Sequence, residues 1–243
     1  MIDDKLPFTK HLEELRSRLI KCFIALGLST LIVYFFSEKI FQILTNPLID
    51  VMPPGETLIF TNLPEAFFTY LKVSLLAGFF LALPVILYQI WSFISPGLYK
   101  GEKKHIFPFV IFSTIFFVGG SLFGYFIVFP IGFKFFLGFS SEYVRPLPSI
   151  REYLSFSSKL LLAFGIIFEL PIFAVFLAKI GIIDAQFLSA KRRYGILLIF
   201  ILGAILTPPD VVTQIMMALP LMLLYELSIL MIKVFVKKKD KEE

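Results

Sequence analysis

Four carboxylates stand where their charge needs an explanation. Glu169 lies in AFGIIFELP at 163–171, in the middle of a long apolar run, while Glu13, Glu14 and Glu102 lie in charged segments beside other apolar runs. A carboxylate within a membrane-spanning helix is expensive, and such groups face a protein interior or a wet cavity. Glu169 therefore has two readings. It is either a protonated side chain bonded to a neighbouring helix for structure alone, or a contact for a partner helix or a translocating group. Pro171, two residues on, has no backbone N–H to donate, so a kink is expected here. Glu13 and Glu14 fall in HLEELR at 11–16, a short amphipathic helix entering the first apolar run; Glu102 falls in LYKGEKK at 98–104. Such carboxylates are solvated, paired with a neighbouring Lys or Arg, or open to an arginine fork from outside.

Other chemistry finds little support. The two histidines, His11 and His105, sit beside apolar runs and not within them, and there is no H-E-x-x-H helix, Walker loop or G-x-S-x-G elbow. An intramembrane protease or metalloenzyme is not expected, and no catalytic residue, metal site or cofactor is assigned. The single cysteine, Cys22, allows neither an internal disulfide nor a cysteine-built metal site.

The elements that must position these carboxylates are membrane helices. The 243 residues are 58% hydrophobic and only 17% charged, with 31 Phe, whereas a soluble domain is about a quarter charged. Spanning a ~30 Å hydrocarbon core takes ~20 helical residues. Spans are expected at 19–36, 67–91, 106–129, 153–178, 194–206 and 211–231, forming one all-α integral membrane domain over 1–243 with a disordered charged tail at 233–243. The N-terminus lacks a basic segment leading into a short apolar core and a cleavage site, so no cleavable signal is expected.

Lys and Arg orient the bundle. Sixteen fall on the N-terminal arm, 100–104, 179–193 and 233–241, against four on the other side, Lys39, Lys134, Arg145 and Arg151. That bias places both termini in the cytoplasm. Nucleic acid is not an expected partner, because the basic residues flank apolar runs and do not form a stripe. Lys72 and Lys159 are expected to snorkel outward from their helices.

The last two spans differ from the others. Thirteen residues at 194–206 rise only ~20 Å, and TPPD at 207–210 ends the helix in a tight turn. The turn is expected to lie deep, with a locally thinned bilayer, and Glu226 to be interfacial. The long loop at 37–65 is expected to be partly helical over 37–48 and broken at Pro53-Pro54-Gly55. Gly120 and Gly124 predict a close helix contact inside the protein. Pro84, Pro130 and Pro220 are expected to shape or end helices.

Several segments in order resemble one family: HLEELR at 11–16, PVILYQIW at 84–91, FISPGLYKGEKK at 93–104, YLSF at 153–156, AFGIIFELP at 163–171 and LTPPDVVTQ at 206–214. Together they resemble TatC, the multispanning core of the twin-arginine protein translocase. The resemblance covers nearly the whole chain; the outer loops and tail match least. It implies six helices in a curved, cupped bundle with short fifth and sixth helices. It implies a receptor for twin-arginine signal peptides of folded cargo in the cytoplasmic (inner) membrane, driven by the proton-motive force and working with the single-span proteins TatA and TatB. By motif position, Glu14 and Glu102 would take the twin arginines, with Arg16 and Phe93 beside them. Glu169 would be the intramembrane polar contact, and Pro209 and Asp210 would mark the outer hairpin tied to partner assembly. Gly101 departs from the bulkier residue expected in the second loop. The oligomeric state stays open, a homo-oligomer included.

Two other functions fit the composition. One is a proton-coupled small-solute transporter using Glu169 as a relay, and the other is a scaffold that binds no signal peptide. The transporter reading has thin support, because one intramembrane carboxylate stands without a basic partner or a repeated half.

Overall fold

A computed structural model describes residues 8–53, 55–94, 106–141, 145–206 and 211–236. Five helical stretches are long and apolar enough to cross a bilayer: Lys10–Tyr34, Glu65–Ile94, Phe107–Leu137, Ile150–Lys179 and Gln214–Phe235. The fifth expected span forms a helix of 15 residues, Arg192–Leu206, which rises only ~22 Å. Among the described residues, the six expected spans are therefore all apolar helix, the fifth of them short. The chain resolves into two compact units, one holding Phe60–Thr114 with the chain up to Thr45, the other Asn46–Ile59 with the chain from Ile115 onward.

The first unit is built on α1 (Phe8–Tyr34), the start of α2 (Ser37–Ile49), α3 (Glu65–Ile94) and the start of α4 (Ile106–Phe123). No proline interrupts 8–34, so HLEELR forms the opening turns of one unbroken helix and not a separate segment. Phe23, Ile24, Leu28, Leu31 and Ile32 on α1 are each more than half exposed. In water such a face would be a liability; against acyl chains it is the expected lipid-facing surface. α1 and α3 run antiparallel, since His11 meets Phe93, Arg18 meets Gln89, and Thr30 meets Gly78. A Cβ on Gly78 would fall 2.7 Å from the Thr30 Cα, so only glycine lets the two backbones come this close.

The N-terminus of α3 is satisfied locally. Buried Glu65 accepts from the Thr61 N–H at 2.7 Å, the Thr61 hydroxyl at 3.0 Å and the Asn62 N–H at 3.3 Å. A carboxylate in the first turn also suits the positive end of the helix dipole. At the other end, the Trp91 indole N–H donates to Ser113 Oγ at 2.9 Å, fixing α3 to α4 in a buried site. Pro84 lies inside α3 and does not end it.

In the second unit, the span begun by α4 passes through a π-helical segment, Gly124–Val128, into α5 (Phe129–Leu137). It thus runs eight residues beyond its expected end at Phe129. Its buried positions are Phe117, Gly120, Ser121 and Gly124, then Phe129, Gly132 and Phe133. α6 (Ile150–Phe168) packs on this stripe. A Cβ on Gly120 would fall 2.5 Å from the Phe164 carbonyl oxygen, Gly165 lies against Phe117, and Ser121 Oγ donates to the Leu161 carbonyl at 2.9 Å. The glycine pair therefore serves internal packing, as its spacing predicts.

The 46–59 segment joins this unit through a parallel bridge between Ile59 and Ser149 and through Leu48, which lines a cavity with Phe133, Phe136 and Tyr153. α2 reaches Ile49, and the chain turns with Gly55 at φ 87°, a left-handed conformation suited to glycine. Beyond α6 come α7 (Leu170–Lys179), α8 (Ala185–Ala190), α9 (Arg192–Leu206) and α10 (Val211–Phe235). Met217, Ala218 and Leu221 of α10 are fully buried. Pro220 sits between them without ending the helix. Lys72 and Lys159 are exposed, as snorkelling requires.

Candidate functional site

Residues three and four apart share one face of a helix. On α1 this groups His11, Glu14 and Arg18; on α3 it groups Gln89 and Phe93. The antiparallel packing sets the two faces against each other. The His11 and Phe93 rings stack with centroids 4.5 Å apart and 20° between planes. Two turns further along α1, Arg18 Nη1 donates to the Gln89 side-chain oxygen at 3.3 Å.

Glu14 lies between these contacts and already receives a guanidinium. Arg18 Nε and Nη2 both donate to Glu14 Oε1, at 2.9 and 2.6 Å. Among the described residues, no partner bonds Glu14 Oε2. The two side chains are 31% (Glu14) and 22% (Arg18) exposed, so water still reaches the pair and weakens it relative to a buried one. Glu14 stands four residues before Arg18, the favourable order for a helix ion pair.

The structure thus brings Glu14 and Phe93 to one place. Arg16 is exposed, two residues from Glu14 and so ~200° around the helix, on the opposite side from this cluster. Glu13 is likewise exposed. Glu102 lies outside the described residues. Arg18 and Gln89 were not singled out in the sequence. The Glu14–Arg18 spacing offered a signal for one, but nothing local marked Gln89, which depends on how α1 and α3 pack.

Glu169 occupies the junction between α6 and α7, where the helix breaks two residues before Pro171 as expected. Its N–H donates to the Ile166 carbonyl at 3.1 Å and its carbonyl accepts from the Phe173 N–H at 2.9 Å, so the break is only local. The side chain is half-buried and its Oε1 is enclosed. Within its own unit, Glu169 therefore stands at an interruption in the longest-buried span.

α9 and α10 form an antiparallel pair. Arg192 Nε meets Glu226 Oε1 and Arg192 Nη2 meets Glu226 Oε2, both at 2.8 Å. Gly195 lies against the Tyr225 ring, and Gln214 Nε2 donates to the Phe200 carbonyl at 3.0 Å. Glu226 is 52% exposed, in keeping with an interfacial position. Pro209 and Asp210, between these two helices in sequence, lie outside the described residues.

Comparison with known proteins gives one consistent result. Residues 10–220 match the family model for TatC, the Sec-independent protein translocase protein. The Sec-independent protein translocase protein TatC of Desulforapulum autotrophicum is 58% identical over 241 residues, covering 99% of this chain and 89% of that protein. Its counterpart in Escherichia coli K12 is 38% identical over 243 residues, covering 100% of this chain and 94% of that protein. A crystal structure of a twin-arginine translocase receptor, TatC, aligns with TM-score 0.79 at 44% identity, covering 92% of this chain and 98% of that one. These likenesses give no support to the solute-transporter alternative for Glu169.

Proposed function

Because this chain belongs to the TatC family of Sec-independent protein translocase proteins, we propose that it receives twin-arginine signal peptides at Glu14 and Glu102, with Phe93 beside Glu14 and with Arg16, of the same motif, contributing from the other side of α1. It is a multi-pass membrane protein and a component of the twin-arginine translocase. The observation that carries the site is the Glu14 carboxylate, which holds a guanidinium at 2.6–2.9 Å while remaining 31% exposed. A carboxylate that accepts one arginine in this geometry has the shape and charge to accept another.

In this reading the site faces the cytoplasm, as do both termini, and the membrane is the inner membrane. The two signal arginines bind the two carboxylates, and the apolar stretch of the signal then enters among the helices. Glu169 gives that stretch, or a partner helix, a polar contact inside the membrane. Pro209 and Asp210 mark the turn where partners assemble, and those partners are TatA and TatB. No covalent chemistry is part of the function.

Each charge-assisted pair contributes ~1.5–3 kcal/mol before solvent exposure reduces it. Discrimination rests on the planar fork of arginine, which an ammonium cannot reproduce. The direct test titrates twin-Arg and twin-Lys signal peptides into the purified protein. Twin-Arg should bind about tenfold or more tightly, a difference of ~1.4 kcal/mol. Equal affinities would rule out this assignment, and no binding of either would favour a scaffold.

A further inference from the structure

We propose that Arg18 is an internal placeholder for the signal arginine, and that signal binding at Glu14 is an exchange of one guanidinium for another. The inference rests on the assignment of Glu14 as a signal-peptide carboxylate. It adds an affinity-setting residue, Arg18, and a resting position for its side chain.

The geometry of the pair carries the argument. A bidentate arginine–carboxylate contact uses both oxygens, one for each of two parallel N–H groups. Arg192 and Glu226 make that contact here, with two nitrogens on two oxygens at 2.8 Å each. Arg18 does not, since Nε and Nη2 converge on Oε1. Among the described residues, Glu14 is therefore held through one oxygen, in an arrangement less complete than the fork it could accept. An incoming arginine that takes both oxygens gains a contact Arg18 does not make, but it must first displace Arg18 from Oε1.

The displaced group has somewhere to go. Arg18 Nη1 already reaches the buried Gln89 side-chain oxygen at 3.3 Å. Releasing Glu14 leaves that bond in place and keeps Gln89 satisfied. The guanidinium is partly exposed, so water can solvate the freed N–H groups. The exchange requires only side-chain motion on α1, with no movement of α1 against α3.

Exchange has a distinct thermodynamic signature. The displacement step subtracts the same amount from every ligand that needs the whole of Glu14. It lowers twin-Arg and twin-Lys binding by one factor and leaves their ratio unchanged. Its effect is to hold weakly matching cationic segments below useful occupancy, because they too must first displace Arg18.

The test uses the full-length protein in detergent or nanodiscs, with fluorescent twin-Arg and twin-Lys peptides. Arg18→Gln should tighten both by about fivefold, the effect of losing a partly exposed competing ion pair. Arg18→Lys keeps the positive charge but removes the fork. It should also tighten both peptides, by less, which separates exchange from simple repulsion of a cationic ligand. If Arg18→Lys binds like the parent while only Arg18→Gln tightens, repulsion is the cause and the placeholder is wrong. If either variant binds more weakly, or Arg18→Gln leaves both affinities unchanged, Arg18 supports Glu14 while the signal takes Oε2, and the placeholder is again wrong. Glu14→Gln in the parent keeps the two ideas apart. Lost affinity upholds the carboxylate assignment whatever Arg18 does, whereas unchanged affinity overturns the assignment itself and the exchange with it.

Discussion

Two arginine–glutamate pairs in this chain have the same chemistry and different construction. Arg18 and Glu14 are four residues apart on one helix, and both contacts fall on one oxygen. Arg192 and Glu226 are 34 residues apart on two helices, and each nitrogen has its own oxygen. The local pair forms whenever α1 is helical, so it adds little to the fold and can open without loosening it. The distant pair ties α9 to α10 in register, alongside the Gly195–Tyr225 and Gln214–Phe200 contacts, so opening it loosens one end of the helix pair. Its half-exposed side chains, at 50% and 52%, limit what it contributes. Sharing a residue type does not give the two pairs one role; their separation in sequence and their use of the carboxylate set them apart.

That contrast can be broken or sharpened by substitution. The largest effect is expected from Glu14→Ala with Glu102→Ala, which should lower twin-Arg peptide affinity about 100-fold, at ~1.4 kcal/mol for each carboxylate. Unchanged affinity in a titration would remove the functional half of the comparison. Next comes Gly78→Ala, whose added methyl meets Thr30 backbone and cannot be accommodated by a side-chain turn. It should push α1 from α3, destabilise by about 1–3 kcal/mol and separate Arg18 from Gln89. A thermal midpoint equal to the parent's would show that the helices have room to spare.

Gly195→Ala makes the matching change beside the other pair. Its methyl would first meet the Tyr225 ring and hydroxyl, a side chain that can turn at the expense of the bond from its hydroxyl to the Leu188 carbonyl at 2.8 Å. The expected loss is under about 1 kcal/mol, and a loss larger than that of Gly78→Ala would reverse the ranking. The smallest effect is expected for Arg192→Lys, which gives up the fork in a half-exposed pair. It should change stability by ~0.5 kcal/mol and leave twin-Arg binding within about twofold. A tenfold drop in binding would mean the two pairs are not functionally separate.

Much of this fold is legible in the sequence because lipid imposes simple rules. Long apolar runs locate the helices, and Pro171 locates the break at Glu169. What escapes depends on packing or on short-range capping. The helix expected over 11–16 and the span expected from Leu19 are one unbroken helix from Phe8, a continuity that hydropathy does not register because its first three turns are not apolar. α8 is only six residues long, yet its start is marked. Asp184 accepts the Phe187 N–H at 2.6 Å as an N-cap, a residue type and position that sequence reading could use. At the candidate site, Glu14 and Phe93 are legible by resemblance, whereas Arg18 is legible only through its spacing from Glu14. Gln89 is not legible at all, since its role exists only once α3 lies against α1.

The π-helical segment at Gly124–Val128 makes the buried face of the third span depend on helix type as well as composition. Up to Gly124 the buried side recurs every three or four residues, and the next buried position, Phe129, comes five later. The segment acts as a one-residue insertion in the helical reading frame. Deleting one residue from it would restore a regular α-helix with Phe129 four positions after Gly124 and still on the buried face, whereas regular α-helix at the present length would rotate everything beyond by ~100°. Phe129 and Phe133, whose rings lie 5.3 Å apart and continue to Tyr153 at 5.4 Å, would then leave the face that α6 covers. A substitution that only trims a side chain in this stretch changes one contact, but loss of the π-turn at constant length would change the partner of every side chain after it.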